Sequence, residues 1–251
     1  MSPIRVSPET TLPLTAVRAS DLAPRALVVG DPERARKVST MLDDVRQVGA
    51  NREYLTFTGS YRGVPVTVAS HGVGAAGAAV CFEELARGGV TRIIRSGTAG
   101  GIQPEVVDGS IVVATGAVRA EGVTSQMVPL EFPALATPEL VLALRDSVEE
   151  AGGRPHTGVV LTSDLFYPSD VIVGVDHRLW QRAGIVAVEM EAAALFVVAA
   201  LHGIEAGAAF AIDGNPLAEQ DDDMAGYSPH REIVVETVDR TLRAALAALV
   251  S

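Results

Sequence analysis

Thr91-Arg92-Ile93-Ile94-Arg95-Ser96-Gly97-Thr98-Ala99-Gly100-Gly101 is a strand-like run followed at once by a glycine-rich segment with an arginine and two hydroxyl side chains. β-Branched residues favour strands and glycines favour turns, so the sequence predicts a strand that ends near Arg95. Glycines let the backbone approach a ligand closely, and an arginine fork matches two oxygens of an anion. The segment therefore predicts an anion site, with an ordinary glycine-rich turn as the alternative.

A second segment has the same construction. Leu27-Val28-Val29-Gly30 is a short apolar run that ends in glycine, and Asp31-Pro32-Glu33-Arg34 leads into a helical stretch at 35–42. Open α/β sheets bind ligands where the carboxyl ends of neighbouring parallel strands meet. We therefore expect Arg34 and Arg95 to converge on one anion, for which phosphate is the simplest candidate.

Strand-like runs alternate with helical periodicity along the whole chain, and Gly152 and Gly203 are helix stop signals. This alternation predicts one α/β domain over residues 1–251, a three-layer sandwich with a central mixed β-sheet flanked by helices. The predicted strands are Ala26–Val29, Val64–Ser70, Thr91–Arg95, Ser110–Thr115, Gly158–Thr162, Gly184–Val188 and Ala206–Ile212, and the main predicted helices are Ala75–Arg87, Pro138–Ala151, Glu191–His202 and Pro229–Val250.

Composition limits the partners. The 251 residues carry a formal net charge of -11, which argues against nucleic acid or an anionic membrane surface and favours a small molecule. The single cysteine, Cys81, excludes a disulfide framework and a cysteine-based metal site, and no metal is predicted. The apolar window 192–201 is too short to span a bilayer, and the first residues do not read as a signal peptide. We expect a soluble cytoplasmic protein.

Three motifs resemble the nucleoside phosphorylase family, which includes uridine phosphorylase and the bacterial purine nucleoside phosphorylases. They are Gly-Asp-Pro-x-Arg at Gly30–Arg34, Arg-x-Gly-Thr at Arg95–Thr98 and Glu-Met-Glu at Glu189–Glu191, in the family's order. The resemblance covers nearly the whole chain. It implies that phosphate cleaves a nucleoside to the free base and a pentose 1-phosphate, with inorganic phosphate as co-substrate and no cofactor.

The resemblance also implies the roles of individual residues. Arg95 is implied to be catalytic as well as phosphate-binding, and Arg52 resembles the arginine that a neighbouring subunit contributes. A site shared in this way implies a homo-oligomer, a hexamer built as a trimer of dimers. The implied phosphate ligands are Gly30, Arg34, Arg52, Arg95 and Thr98; the ribose ligands are Glu189, Met190 and Glu191; the residues around the base are Phe166, Asp213, Val73 and Val80.

Two of these assignments have a chemical reason in the residues themselves. A carboxylate accepts hydrogen bonds from two hydroxyl groups, so Glu191 suits the ribose 2′-OH and 3′-OH. In the purine enzymes an aspartate at the position of Asp213 protonates or hydrogen-bonds N7 of the leaving base. This role needs a raised pKa, which burial beside an apolar slot provides. Core packing, for Phe166 and Met190, and a turn cap, for Asp213, are the alternatives.

Departures from the family pattern bear on the substrate. Uridine phosphorylase reads uracil with a Gln-x-Arg pair whose matching positions here are Asp170 and Ile172, and Leu14 stands where the family usually has a histidine for the ribose 5′-OH. These differences favour purine (deoxy)ribonucleosides and predict tolerance of 5′-deoxy substrates. The segment 129–134 nevertheless resembles uridine phosphorylase. Uridine phosphorylase and 5′-methylthioadenosine phosphorylase stay alternatives, as does a catalytically silent nucleoside-binding protein.

Overall fold

The computed structural model describes residues 4–167, 176–217, 228 and 230–251. Within these residues the chain forms ten strands and seven α-helices. In chain order they are β1 (Arg25–Val29), α1 (Pro32–Ser39), β2 (Asp43–Asn51), β3 (Tyr54–Tyr61), β4 (Val64–Ser70), α2 (Ala75–Arg87), β5 (Arg92–Gly101), β6 (Ile111–Ala120), α3 (Thr124–Met127), β7 (Ala134–Leu135), α4 (Pro138–Glu150), β8 (Pro155–Ser163), α5 (His177–Arg182), β9 (Ala187–Glu189), α6 (Ala192–His202), β10 (Glu205–Gly214) and α7 (Glu232–Val250).

The strands form one mixed sheet, as the sequence predicts. β4, β1, β5 and β10 lie side by side and parallel, and the antiparallel pair β3 and β2 extends the sheet beyond β4. On the other side, β5 pairs with β9, β9 with β8, β8 with β6 and β6 with β10. Because β10 also pairs with β5, these five strands close into a ring, a feature that the sequence did not predict.

Helices cover both faces of the sheet. Side chains of a strand alternate between its two faces, and β1 shows this directly. Ala26 and Val28 pack in the core that contains α2 and α6, whereas Leu27 and Val29 pack in the core that contains α1, α4 and α7. The predicted three-layer α/β sandwich is therefore confirmed. None of the helices in the described residues has the length and apolar character needed to cross a membrane.

The strand β5 is longer than predicted. Its glycine-rich second half is not a turn, because it continues to pair with β10 as far as Gly100 and with β9 at Gly100 and Gly101. Arg95 consequently lies inside the strand and not at its end. Residues 95 and 97 point to the same face, and a Cβ on Gly97 would overlap the Arg95 guanidinium, with Cζ only 3.0 Å away. Glycine at position 97 gives this arginine the space to lie flat against the strand.

Candidate active site

A pocket of about 480 Å³ opens at the ends of β1, β4, β5 and β10, beside the segment that joins β9 to α6. All but two of the residues predicted from the sequence line it. The predicted residues that the pocket brings together are Gly30, Arg34, Val73, Arg95, Thr98, Phe166, Glu189, Met190, Glu191 and Asp213.

The turn after β1 places Arg34 at one side of the pocket. Asp31 caps α1 by accepting a hydrogen bond from the Glu33 N–H at 2.8 Å, and Pro32 occupies the first position of the helix. The Gly72 N–H donates to the Gly30 carbonyl at 2.9 Å, which fixes this turn beside the end of β4. Arg34 therefore lies in the first turn of a well-defined helix.

Arg95 is the cation at the centre of the pocket and is almost fully buried. Its Nη2 donates to Glu191 Oε2, its Nη1 lies 3.4 Å from Glu189 Oε2, and its Cζ lies 4.9 Å from the centre of the Phe210 ring. Its Nε and Nη1 have no hydrogen-bond acceptor among the described residues. Buried donors are nearly always satisfied, so these two N–H groups suit an oxyanion in the pocket.

Glu191 presents a carboxylate with acceptor capacity to spare. Its Oε1 accepts a hydrogen bond from the Gly74 N–H at 2.6 Å, and its Oε2 accepts one from Arg95. Gly74 has φ 94°, a left-handed conformation that glycine adopts without strain, and this aims its N–H at the carboxylate. Each oxygen of an ionised carboxylate has two acceptor positions, so Glu191 retains one on each oxygen for a ligand.

Glu189 is buried beside Glu191 but has different partners. Its Oε1 accepts from Thr162 Oγ1 at 2.5 Å, and its Oε2 accepts from the Glu191 N–H at 2.8 Å. The Ala192 N–H contacts both oxygens. Burial raises the pKa of Glu189 and the neighbouring charge of Glu191 raises it further, whereas Arg95 lowers it. The predicted ribose contact of Glu189 stays a prediction.

Asp213 is buried at the end of β10, next to an irregularity in the ladder. Ile212 pairs with Ala99 and Gly214 with Gly100, so Asp213 is one extra residue between two paired positions. Such a bulge turns a side chain away from the regular alternation. The Asp213 carbonyl accepts from Arg231 Nη2 at 2.9 Å. The structure therefore places this carboxyl in the pocket on a fixed backbone.

The wall predicted to hold the base is apolar and partly open. Phe166 is 45% exposed, packs edge-to-face on Tyr167 with ring centres 5.1 Å apart, and lies in the loop that follows β8. Asp164 Oδ2 accepts from the Gly122 N–H at 2.9 Å, which ties this loop to the loop after β6. Val73, 81% exposed, lies in the turn before α2. An exposed aromatic ring and an exposed valine at a pocket suit a planar apolar ligand.

Two histidines close to the pocket carry no predicted role. His71 is fully buried, and its Nδ1 lies 2.9 Å from the Gly72 carbonyl, which requires the proton on Nδ1. Burial, reinforced by the charges of Arg95 and Arg34, holds the pKa of His71 well below its usual value. His177 lines the pocket at the start of α5, and burial lowers its pKa as well. No motif in the sequence marks His177.

The remaining predicted residues lie elsewhere. Val80 lines a separate groove between α2, the amino-terminal segment and residues 123–127. Arg52 lies in the turn between β2 and β3 with φ 52° and is not among the residues that line the Arg95 pocket. Leu14 is tied to the same turn, because its carbonyl accepts from Asn51 Nδ2 at 2.8 Å. Asp170 and Ile172 lie outside the described residues.

Comparisons with known proteins agree on one family. The model of the phosphorylase superfamily matches residues 24–250. The chain is 36% identical to the guanosine phosphorylase of Halorubrum lacusprofundi over 94% of this chain and 97% of the relative. It is 37% identical to the uridine phosphorylase of Thermococcus kodakarensis over 82% of this chain and 78% of the relative.

A solved structure gives the same result. The purine nucleoside phosphorylase of Toxoplasma gondii, in complex with immucillin-H, superposes on the chain with a TM-score of 0.89 and 30% identity, over 95% of this chain and 94% of that chain. Relatives of both purine and uridine specificity are thus similar to this chain.

Proposed function

The chain belongs to the phosphorylase superfamily, and we propose that it cleaves purine (deoxy)ribonucleosides with inorganic phosphate, releasing the free base and (deoxy)ribose 1-phosphate. It is an enzyme of the nucleoside phosphorylase family; the purine specificity is the proposed part. The proposed reaction needs no metal or organic cofactor.

One observation carries the phosphate half of the proposal. Arg95 donates to Glu191 while its Nε and Nη1 have no acceptor among the described residues. A single buried guanidinium can therefore offer Nε–H and Nη1–H groups to phosphate oxygens while its Nη2 orients the ribose carboxylate. Arg34, Thr98 and the backbone at Gly30 line the same pocket and supply further donors to the anion.

Glu191 and Met190 are proposed to hold the ribose. The two acceptor positions left on the Glu191 carboxylate suit the 2′-OH and 3′-OH of the sugar. The sugar then lies between phosphate and base, which places its C1′ for attack by a phosphate oxygen. Holding the two reactants in this order replaces a bimolecular encounter by one within the pocket.

Asp213 supports the choice of a purine. As the C1′–N9 bond breaks, negative charge develops on the purine and spreads to N7, where a proton donor neutralises it. Asp213 is buried, lies in the pocket and is displaced from the ladder by a bulge. A pyrimidine has no N7, so the same carboxyl gives uridine less assistance.

Uridine phosphorylase activity is the second candidate, and the identity to relatives of that name favours it. The segment 129–134 resembles uridine phosphorylase, and the Arg119 side chain holds it and the residues just before it in place. Arg119 donates hydrogen bonds to the carbonyls of Thr124, Val128, Pro129, Leu130 and Phe132. A 5′-methylthioadenosine phosphorylase and a silent nucleoside-binding protein are further alternatives.

The proposed enzyme is a cytoplasmic homo-oligomer, a hexamer assembled from dimers, with Arg52 acting in the neighbouring subunit. Arg52 does not line the pocket of its own chain, which supports a contribution to another subunit. The neighbouring Asn51 holds the Arg52 turn to the amino-terminal segment through the Leu14 carbonyl. The buried, unpaired Cys81 is consistent with a reducing compartment.

Base release from inosine, guanosine, adenosine, 5′-methylthioadenosine and uridine, measured with and without phosphate, tests the proposal. We expect release that requires phosphate and is faster with at least one of the 6-oxo or 6-amino purine nucleosides than with uridine. Faster release from uridine would favour the second candidate. Equal release without phosphate would point to hydrolysis, and binding without any release would point to a silent protein.

A further inference from the structure

The two glutamates of the Glu189-Met190-Glu191 motif have separate tasks. Both are buried, with 4% exposure each. Glu191 keeps acceptor positions for a ligand, whereas the partners of Glu189 are all donors of the protein itself: the Thr162 hydroxyl, the Glu191 and Ala192 N–H groups and the Arg95 guanidinium. A ribose hydroxyl would have to compete with these donors for Glu189.

Glu189 completes the start of α6. The first N–H groups of a helix have no partner within the helix. Glu191 occupies the cap position but makes no side-chain capping bond, because its carboxylate is turned toward Gly74 and Arg95. Glu189 accepts the Glu191 and Ala192 N–H groups instead, and Thr162 Oγ1 accepts the Ala193 N–H at 3.0 Å. This division of labour leaves the Glu191 side chain available to the pocket.

The same carboxylate helps to set the orientation of Arg95. Glu191 accepts a hydrogen bond from Nη2, and Glu189 Oε2 lies 3.4 Å from Nη1 in an ion-pair contact without a hydrogen bond. Because the guanidinium is planar, these two carboxylates together bear on the direction in which its Nε–H points. A substitution at Glu189 should therefore disturb both Arg95, the phosphate donor, and Glu191, the ribose acceptor.

We propose that Glu189 is a positioning residue, which orients Arg95 for phosphate and Glu191 for ribose at the same time and does not itself bind the sugar. This role rests on the proposed phosphorolysis. It predicts a specific chemical requirement: the Ala192 N–H contacts both oxygens of Glu189, so a glutamine in either amide orientation must place its NH₂ group against that donor.

The test compares Glu189→Gln with wild type in two assays. Calorimetry measures the binding of inorganic phosphate to the free enzyme, and steady-state kinetics gives kcat and KM for phosphate, inosine and 2′-deoxyinosine. We expect phosphate binding without nucleoside to weaken by at least about tenfold, since hydrogen bonds to charged groups are worth that much. The KM values for both nucleosides should rise together.

A direct ribose contact gives the opposite pattern. Phosphate binding by the free enzyme would stay unchanged and only the KM values for nucleoside would rise, that of inosine alone if the contact is to the 2′-OH, which the deoxynucleoside lacks. That pattern overturns the proposal. Asp146→Asn, at an exposed carboxylate on α4 that does not line the pocket, is the control and should leave phosphate binding within about twofold of wild type.

Thr162→Val keeps the test decisive if Glu189→Gln does not fold. It removes the hydroxyl that donates to Glu189 and accepts the Ala193 N–H, without touching any charge in the pocket. We expect a folded Thr162→Val enzyme to bind phosphate about threefold to tenfold more weakly, and unchanged binding would overturn the proposal. A wild-type enzyme without phosphate-dependent base release would instead reject the proposed function, so the two failures are distinct.

Discussion

The guanidinium of Arg95 donates a hydrogen bond to the carboxylate of Glu191 across 96 residues of sequence. This pair joins the two halves of the candidate site, because one partner faces the anion position and the other faces the position proposed for the sugar. Phosphate bound at Arg95 and ribose bound at Glu191 should each change the affinity for the other, because each alters the electrostatic environment of the shared ion pair.

Gly97→Ala should damage the phosphate site without unfolding the protein. A Cβ at this position overlaps the Arg95 guanidinium, so the arginine must leave its place over the strand. We expect kcat/KM for phosphate to fall by about 10- to 100-fold, the equivalent of one or two charge-assisted hydrogen bonds. Steady-state kinetics at varied phosphate measures the effect.

Gly122→Ala is the control for that variant. Its added Cβ would meet the Asp164 carboxylate at 3.7 Å, an ordinary contact. An equal loss in both variants would show that the effect comes from removing a glycine and not from moving Arg95.

His71 should make the folded protein less stable in mild acid. Its pKa is lowered in the folded state by burial and by the charges of Arg95 and Arg34. Below about pH 6.5 the unfolded chain therefore binds a proton that the folded chain refuses. Stability is fully present above that pH and is lost as the pH falls, by up to about 1.4 kcal/mol per pH unit from this group.

Urea unfolding of wild type and His71→Asn between pH 5 and 8, at one protein concentration, isolates this contribution. The two curves of unfolding free energy against pH should converge toward acid, because asparagine does not titrate. Parallel curves would mean that His71 titrates alike in both states.

Cys81 should resist thiol reagents in the native protein. It is fully buried in α2, its Sγ lies 3.8 Å from the Ser70 carbonyl, and burial raises its pKa, so the reactive thiolate is scarce. Labelling with a chromogenic disulfide should be at least about a hundredfold slower in buffer than in 6 M urea. Immediate labelling of the native protein would contradict its placement in the core.

Arg52 should act on a neighbouring subunit. The variants Arg52→Ala and Asp213→Asn, each of low activity alone, are unfolded together and refolded as mixed oligomers. With random pairing, half of the dimers are mixed and each has one intact site of two, so roughly a quarter of wild-type activity should return. Verified mixed oligomers without recovered activity would exclude a shared site.

The sequence was sufficient for the class of fold and for most of the pocket. The apolar runs at 26–29 and 206–212 are buried strands, and strand ends carry Gly30, Glu189 and Asp213 into one cavity. This worked because strand periodicity and glycine are local signals, and the topology of parallel strands brings their ends together.

Sequence patterns did not predict the exposed strands or the contacts between residues distant in sequence. The strand β2 is exposed along most of its length, so it has no alternating apolar pattern, and the β2–β3 pair was not predicted. Val80 was expected near the base, but on α2 it faces a different groove from that of Val73. The orientation of Arg95 depends on Glu191, which is too distant in sequence for any local pattern to reveal.

The different roles proposed for the two glutamates could not be predicted from the sequence either. The motif implies a ribose contact for both Glu189 and Glu191, because both side chains are carboxylates two residues apart. The difference arises from Thr162 and the first turn of α6, which occupy one carboxylate and leave the other for the pocket.

The ratio of kcat/KM for inosine to that for uridine, in wild type and in Asp213→Asn at saturating phosphate, tests the proposed purine specificity most directly. We expect the wild-type ratio to exceed about ten. In the variant, the value for inosine should fall by roughly two to four decades, since a proton donor is lost, while that for uridine changes by less than about tenfold. A wild-type preference for uridine, or an equal fall for both substrates, would contradict the assignment of Asp213 to purine cleavage.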